Sequence, residues 1–189
     1  MSILTDVLPD YIEIDGKRFP IRSDFKTWIR VSAVIFGGED EVIKTAKILS
    51  LVFPKLPDRL DSAMQAVIDF YQPRRQSAVG DDMPARRIYD YEHDAEMIYA
   101  AFLQQYGMNL NAIDLHWWQF RAMFDNLNDS TQFIKVVGYR AVNLSEIKDK
   151  EQKKYYSKMK HIYKLPDFQS EEEKERVMND MFAKMFRGD

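Results

Sequence analysis

Apolar residues spaced three and four apart recur along most of this chain, and that period constrains its fold more than any other feature. Leu60, Ala63, Met64, Val67, Ile68 and Tyr71 give the cleanest run. Such a run predicts a helix with one side to bury. A helix of this length is marginal alone, so its stripe must be covered by other elements. Further stripes follow the same rule: Phe25, Trp28, Ile29, Ser32 and Phe36; Val42, Ile43, Ala46 and Leu49; Tyr91, Ala95, Ile98, Tyr99, Phe102 and Tyr106. From Leu115 to Leu127 the apolar face is broad, because Trp117 and Trp118 point about 100° apart on a helix. That helix is expected at the centre of the core. A short stripe of Phe133, Ile134 and Val137 follows it.

Helix ends are marked by residues that satisfy or lack backbone groups. Ser23 or Asp24, Asp58, Asp114 and Ser130 are candidate caps, and Asn143 with Glu146 has capping-box spacing. Gly37-Gly38, Pro54, Gly107, Gly138 and Pro166 are expected stops. The helix over about Tyr91 to Tyr106 is expected to end at Gly107. A Lys-rich helix should run to about Lys164. A last helix should start at the box Ser170–Glu173 and bear Val177, Met178, Met181, Phe182, Met185 and Phe186 on one side.

One segment departs from this period. Asp15-Gly16 is a two-residue turn pair that predicts a hairpin, with Ile14 opposite Lys17 and Ile12 opposite Phe19. Ile12, Ile14, Phe19 and Ile21 then share a face, and Pro20 suits an edge strand. The fold class is therefore mainly α: a helical domain over 1–166 with a short N-terminal β-hairpin, then a C-terminal amphipathic helix over 167–189. Gln72 to Asp90, with two Pro and two Arg pairs, reads as an exposed loop.

Composition narrows the chemistry. The 189 residues include no Cys and three His, which excludes disulfides, thiol nucleophiles, iron–sulfur clusters and thiolate zinc sites. No nucleophile elbow, phosphate-binding Gly loop or HExxH pattern is present. The expectation is a non-enzyme without cofactors. Met1 to Asp10 lacks the basic and apolar regions of a signal peptide, and no apolar run is long enough to span a bilayer, so a cytoplasmic location is expected.

Three clusters are candidate sites. Glu92 and Glu96 share a helix face beside His93, but no other His has ligand spacing to them. Acidic residues favoured near a helix N-terminus explain this cluster better than a metal does. The Lys-rich helix carries a net +5 over residues 148–164 with Tyr155, Tyr156 and Tyr163 interleaved. Phosphate binding would fit it, but a solvated helix with Lys stems over apolar surface fits better, and the near-neutral total of −3 speaks against a nucleic-acid binder. The last stripe has three Met and two Phe, the adaptable anchors of groove-binding helices. Val177, Met178, Met181, Phe182, Met185 and Phe186 are therefore the candidate partner-binding residues.

Longer stretches carry a resemblance. Asp90-Tyr91-Glu92-His93-Asp94-Ala95-Glu96-Met97-Ile98-Tyr99-Ala100-Ala101-Phe102, Leu115-His116-Trp117-Trp118-Gln119-Phe120-Arg121, Gly138-Tyr139-Arg140 and Asp149-Lys150-Glu151-Gln152-Lys153-Lys154-Tyr155-Tyr156 resemble the tailed-bacteriophage family named after gene product fifteen. The layout from Asp15 to Phe25, of the form DGKxFxIRxDF, is similar to that of tail assembly chaperones. The resemblance implies a morphogenesis factor in the host cytoplasm that binds phage tail proteins, the tape measure protein above all. It leaves room for a homo-oligomer and implies no membrane or nucleic-acid partner. The alternative is a minor virion structural or head–tail connector protein.

Overall fold

The computed structural model describes residues 2–72 and 88–166. Two strands and seven helices follow in order among them: β1 (Tyr11–Ile14), β2 (Lys17–Pro20), α1 (Phe25–Ile35), α2 (Glu41–Val52), α3 (Leu60–Tyr71), α4 (Ala95–Tyr106), α5 (Trp117–Phe124), α6 (Gln132–Ala141) and α7 (Lys150–Ile162). The mainly α class with an N-terminal hairpin holds.

The hairpin has the register read from its turn. Ile14 faces Lys17 and Ile12 faces Phe19, with Asp15 at φ 50° and Gly16 at φ 75°. Two successive positive φ values are what a type I′ turn requires, and Asp and Gly tolerate them. Ile21 N donates to Asp10 O at 2.9 Å, so the inward pairs are 10–21, 12–19 and 14–17. Pro20 therefore lacks its N–H on the outward side, where no ladder bond is lost. Ile12, Ile14 and Ile21 are buried, and β1 packs on α3.

The helical core is built around α5. Trp117 and Phe120 are fully buried, together with Trp28 of α1 and Phe102 of α4. The rings form a continuous stack: Trp28 on Phe70 at 4.7 Å, Phe25 on Phe120 at 4.9 Å and Phe102 on Phe120 at 5.1 Å. The two adjacent Trp side chains straddle the end of α3. Trp117 Nε1 donates to Tyr71 O and Trp118 Nε1 to Phe70 O, each at 3.0 Å. The last carbonyls of a helix have no partner within it, so these indoles act as its cap.

The starts of α1 and α5 satisfy each other in the same way. Phe25 N donates to Leu115 O at 3.0 Å, and Trp117 N donates to Ser23 O at 2.8 Å. Asp24 and His116, the two N-caps, face each other in a single antiparallel bridge. Asp24 accepts from Thr27 N at 2.9 Å and from Thr27 Oγ1 at 2.8 Å.

Several helix faces and ends differ from expectation. On α2 the buried residues are Ile48, Leu49 and Val52, while Val42, Ile43 and Ala46 are exposed. On α3, Ala63, Val67, Phe70 and Tyr71 are buried and Leu60 and Ile68 are exposed. Both helices offer two overlapping stripes; on α3 the buried one includes Phe70, which stacks on Trp28. Phe36 at the end of α1 is also exposed, Val31 taking the buried place. Ala95 of the α4 stripe is exposed too, and Ala101 is buried instead. Helix α4 starts at Ala95, because 91–94 form a turn.

The caps shift as well. Asp58 does not cap α3; its N-cap is Arg59, without a side-chain bond. His116 replaces Asp114, Thr131 replaces Ser130, and Asp149 replaces the Asn143–Glu146 box. Asn143 instead closes a turn by accepting from Ser145 N. Gly138 lies inside α6 and does not end it. Gly107 does end α4, at φ 65°.

Candidate functional site

A cavity of about 650 Å³ opens between α1 and the segment from Asp90 to Tyr99. Its floor is apolar: Phe25, Phe120, Ile98 and Leu110 are buried core residues that also face this space. Ser32 lies there too, accepting from Tyr71 Oη at 2.9 Å. Tyr91 lines the same wall, and its buried hydroxyl has no hydrogen-bond partner among the described residues. Burial drives the Tyr91 phenol far above its ordinary range, reinforced by Tyr89. It therefore stays protonated.

The two walls repeat one pattern with opposite charge. Lys26, Ile29, Arg30 and Ala33 line the α1 side; Glu92, Ala95, Glu96 and Tyr99 line the other. In both, charges stand four apart, with the apolar residues between and beyond them; on α1 that spacing puts the side chains on one helix face, while Glu92 reaches the other wall from the 91–94 turn that precedes α4. Lys26, Arg30, Glu92 and Glu96 are exposed, and none forms an ion pair with another described residue. Among the described residues no ion pair joins one wall to the other. A ligand between them meets an apolar surface with a basic rim on one side and an acidic rim on the other.

The acidic wall is fixed from behind by a buried ion pair. Arg140 of α6 grips Asp94 with two bonds, Nη1 to Oδ2 at 2.6 Å and Nη2 to Oδ1 at 2.8 Å. Both side chains are almost wholly buried. Asp94 also accepts from Asp90 N at 3.0 Å, which shapes the turn bearing Glu92. That engagement explains why Asp94, at the start of α4, makes no capping bond. Arg140 further donates from Nε to Tyr163 O at 2.6 Å and from Nη1 to Ile88 O at 3.2 Å. One guanidinium thus joins the end of α7, the 88–94 segment and α6. Bidentate geometry of this kind is specific to arginine.

The remaining clusters have other roles. His93 N donates to Asp90 Oδ1. Among the described residues no group of three or more His, Asp or Glu is placed to hold a metal ion. Helix α7 buries none of its residues, and its tyrosines gather around Tyr139 of α6: Tyr163 stacks on it at 5.8 Å and Tyr155 meets it edge-on at 6.2 Å. His116 accepts from Trp118 N through Nδ1 at 3.1 Å and lies 3.0 Å from Pro9 O through Nε2. That pair of contacts requires the neutral ring with its proton on Nε2. Burial lowers its pKa, opposed by the Pro9 carbonyl and by Asp10.

The structure brings Glu92 and Glu96 to the rim of a groove, but not on one helix face as their spacing suggested, because Glu92 stands in the turn that precedes α4. Lys26 and Arg30 were missed, although the same four-residue spacing marks them. Val177, Met178, Met181, Phe182, Met185 and Phe186 lie outside the described residues, as does most of the 72–90 loop. Among the described residues no helix is long and apolar enough to cross a membrane.

The family comparison covers this whole arrangement. The model of the Bacteriophage Gp15 protein family matches residues 4–165, from before the hairpin to the residue preceding Pro166. No curated protein and no solved structure matches the chain. The hairpin, both walls of the groove and the Asp94–Arg140 pair fall within the matched span, and the chain belongs to the Bacteriophage Gp15 protein family.

Proposed function

We propose that this phage protein is a tail assembly chaperone or related morphogenesis factor, acting in the host cytoplasm by binding a tail protein during virion assembly. The observation that carries the reading is the groove: an apolar floor between rims of opposite charge, on a chain of a phage family. Amphipathic helices are bound by such surfaces, apolar anchors on the floor and flanking charges on the rims. The tape measure protein is the favoured partner, since the N-terminal layout is similar to that of chaperones that act beside it. Shielding its helical segments before the tube polymerises needs binding, not catalysis.

Co-expression with the tape measure protein of the same phage tests this. The two should co-purify, and the tape measure protein should become more soluble. Ile29→Asp, which puts a carboxylate into the groove's apolar strip, should abolish capture. No co-purification and no gain in solubility would remove the proposal. Purified particles should lack the chain by mass spectrometry; stoichiometric copies would make it a virion component instead.

A further inference from the structure

The rims of the groove carry four charges sorted by wall. Lys26 and Arg30 stand on the α1 side and Glu92 and Glu96 on the other, and none forms an ion pair with a described residue. We propose that the groove selects an amphipathic helix whose flanks are sorted by charge, with acidic residues along one edge of its apolar stripe and basic residues along the other. The inference rests on the helix-binding reading above and adds what the helix must carry and which way it runs.

Charge complementarity identifies this occupant. The floor of Phe25, Ile98, Leu110 and Phe120 takes apolar anchors, and the small side chains of Ala33 and Ala95, one on each wall, let a helix come close. Lys26 Nζ lies 5.7 Å from the centroid of the Phe25 ring, so the basic rim begins at the edge of the floor. Lys26 and Arg30 are one turn apart on α1, about 6 Å along its axis, a spacing matched by two side chains four apart on an opposing helix. The acidic rim is held by Asp94, which stands between Glu92 and Glu96 in the chain and is locked by Arg140. A rim fixed beforehand has less to lose in freedom when a helix binds. A helix with one sign on both flanks meets a like charge at one rim, which disfavours it. Turned end for end on its stripe, a sorted helix brings each flank to the rim of its own sign. The groove therefore accepts a sorted helix in one direction only.

Labelled peptides of about 18 residues with one shared Leu/Ala stripe test this against the full-length protein. The sorted peptide carries Glu along one flank and Lys along the other. The mixed peptide carries the same residues with both signs on each flank, and a third carries Lys on both. Fluorescence anisotropy should give the sorted peptide about tenfold higher affinity than either of the others, a gap that narrows in about 0.5 M salt. In the double variant Lys26→Glu and Arg30→Glu, at two exposed positions, the peptide with Lys on both flanks should bind tightest. Exchanging the flanks of the sorted peptide should reverse its direction. A nitroxide on the N-terminus of the exchanged peptide should then broaden the amide signals that a C-terminal nitroxide broadens with the original. Equal affinities of the sorted and mixed peptides, binding of none of them, or an unchanged order in the double variant would each overturn the proposal. So would the same signals broadened by N-terminal labels on both sorted peptides. Equal affinities beside intact capture of the tape measure protein would sink this inference and leave the partner reading standing; a sorted preference without that capture would do the reverse.

Discussion

Helices α5 and α7 show how little length says about importance. The first has 8 residues, with Trp117 and Phe120 fully buried and both indoles capping α3. The second has 13 residues and buries none of them. It is held by the ring cluster around Tyr139 and by one arginine at its end. Stability in this fold therefore resides in aromatic contacts that also satisfy backbone groups. The longer helix is a layer added on α6, through which local opening should be easiest.

Substitutions can break that contrast. Trp117→Ala should cost about 3–5 kcal/mol in urea unfolding, from the cavity and the unpartnered Tyr71 carbonyl. Tyr155→Ala on α7 should cost below about 1 kcal/mol, its ring being half exposed. Equal costs would show that α7 belongs to the core. Arg140→Ala should follow at roughly 3–5 kcal/mol, because it strands the buried Asp94 carboxylate. Hydrogen exchange in that variant should rise most near Tyr163 and Ile88, the two carbonyls the guanidinium holds. Uniform exchange would deny its role as the joint between the two regions.

A smaller effect tests the start of α5 by pH. His116 binds a proton less readily in the folded chain than in the unfolded one, because burial disfavours the imidazolium and Nδ1 is already an acceptor. Stability should be full above the ordinary histidine range and fall as pH drops below about 6.5. His116→Gln should flatten that part of the profile, read as melting temperature from pH 7.5 to 5. An unchanged slope would assign it to another group. A comparably small effect is expected of Asp149→Ala, which removes the cap of α7 and should cost about 1 kcal/mol or less. Its exchange signature should stay within α7, whereas Asp24→Ala should disturb both α1 and α5.

The residues that were legible in the sequence share a local cause. Asp15-Gly16 set the hairpin register because a two-residue turn admits few alternatives. Gly107 ended α4 because it takes a left-handed conformation at little steric cost. Cap positions were less legible because several residues near each start can accept a backbone bond, and His116 belongs to none of the usual types. Helix phase failed at α2 and α3, where two stripes compete. At the groove, Glu92 and Glu96 were visible as a pair, but nothing local signalled that Lys26 and Arg30 stand opposite them.

The sequence by itself determined the elements: a hairpin, helices of amphipathic period, their approximate ends, and a composition without thiol chemistry. Those are properties of backbone preference and of neighbours within four residues. Tertiary structure alone decided which stripe each helix buried, that two indoles cap α3, and that Asp94 and Arg140 pair across 46 residues. It also set two oppositely charged walls around one apolar floor. Such features depend on where distant segments meet, and burial is a property of that meeting rather than of any one stretch of chain.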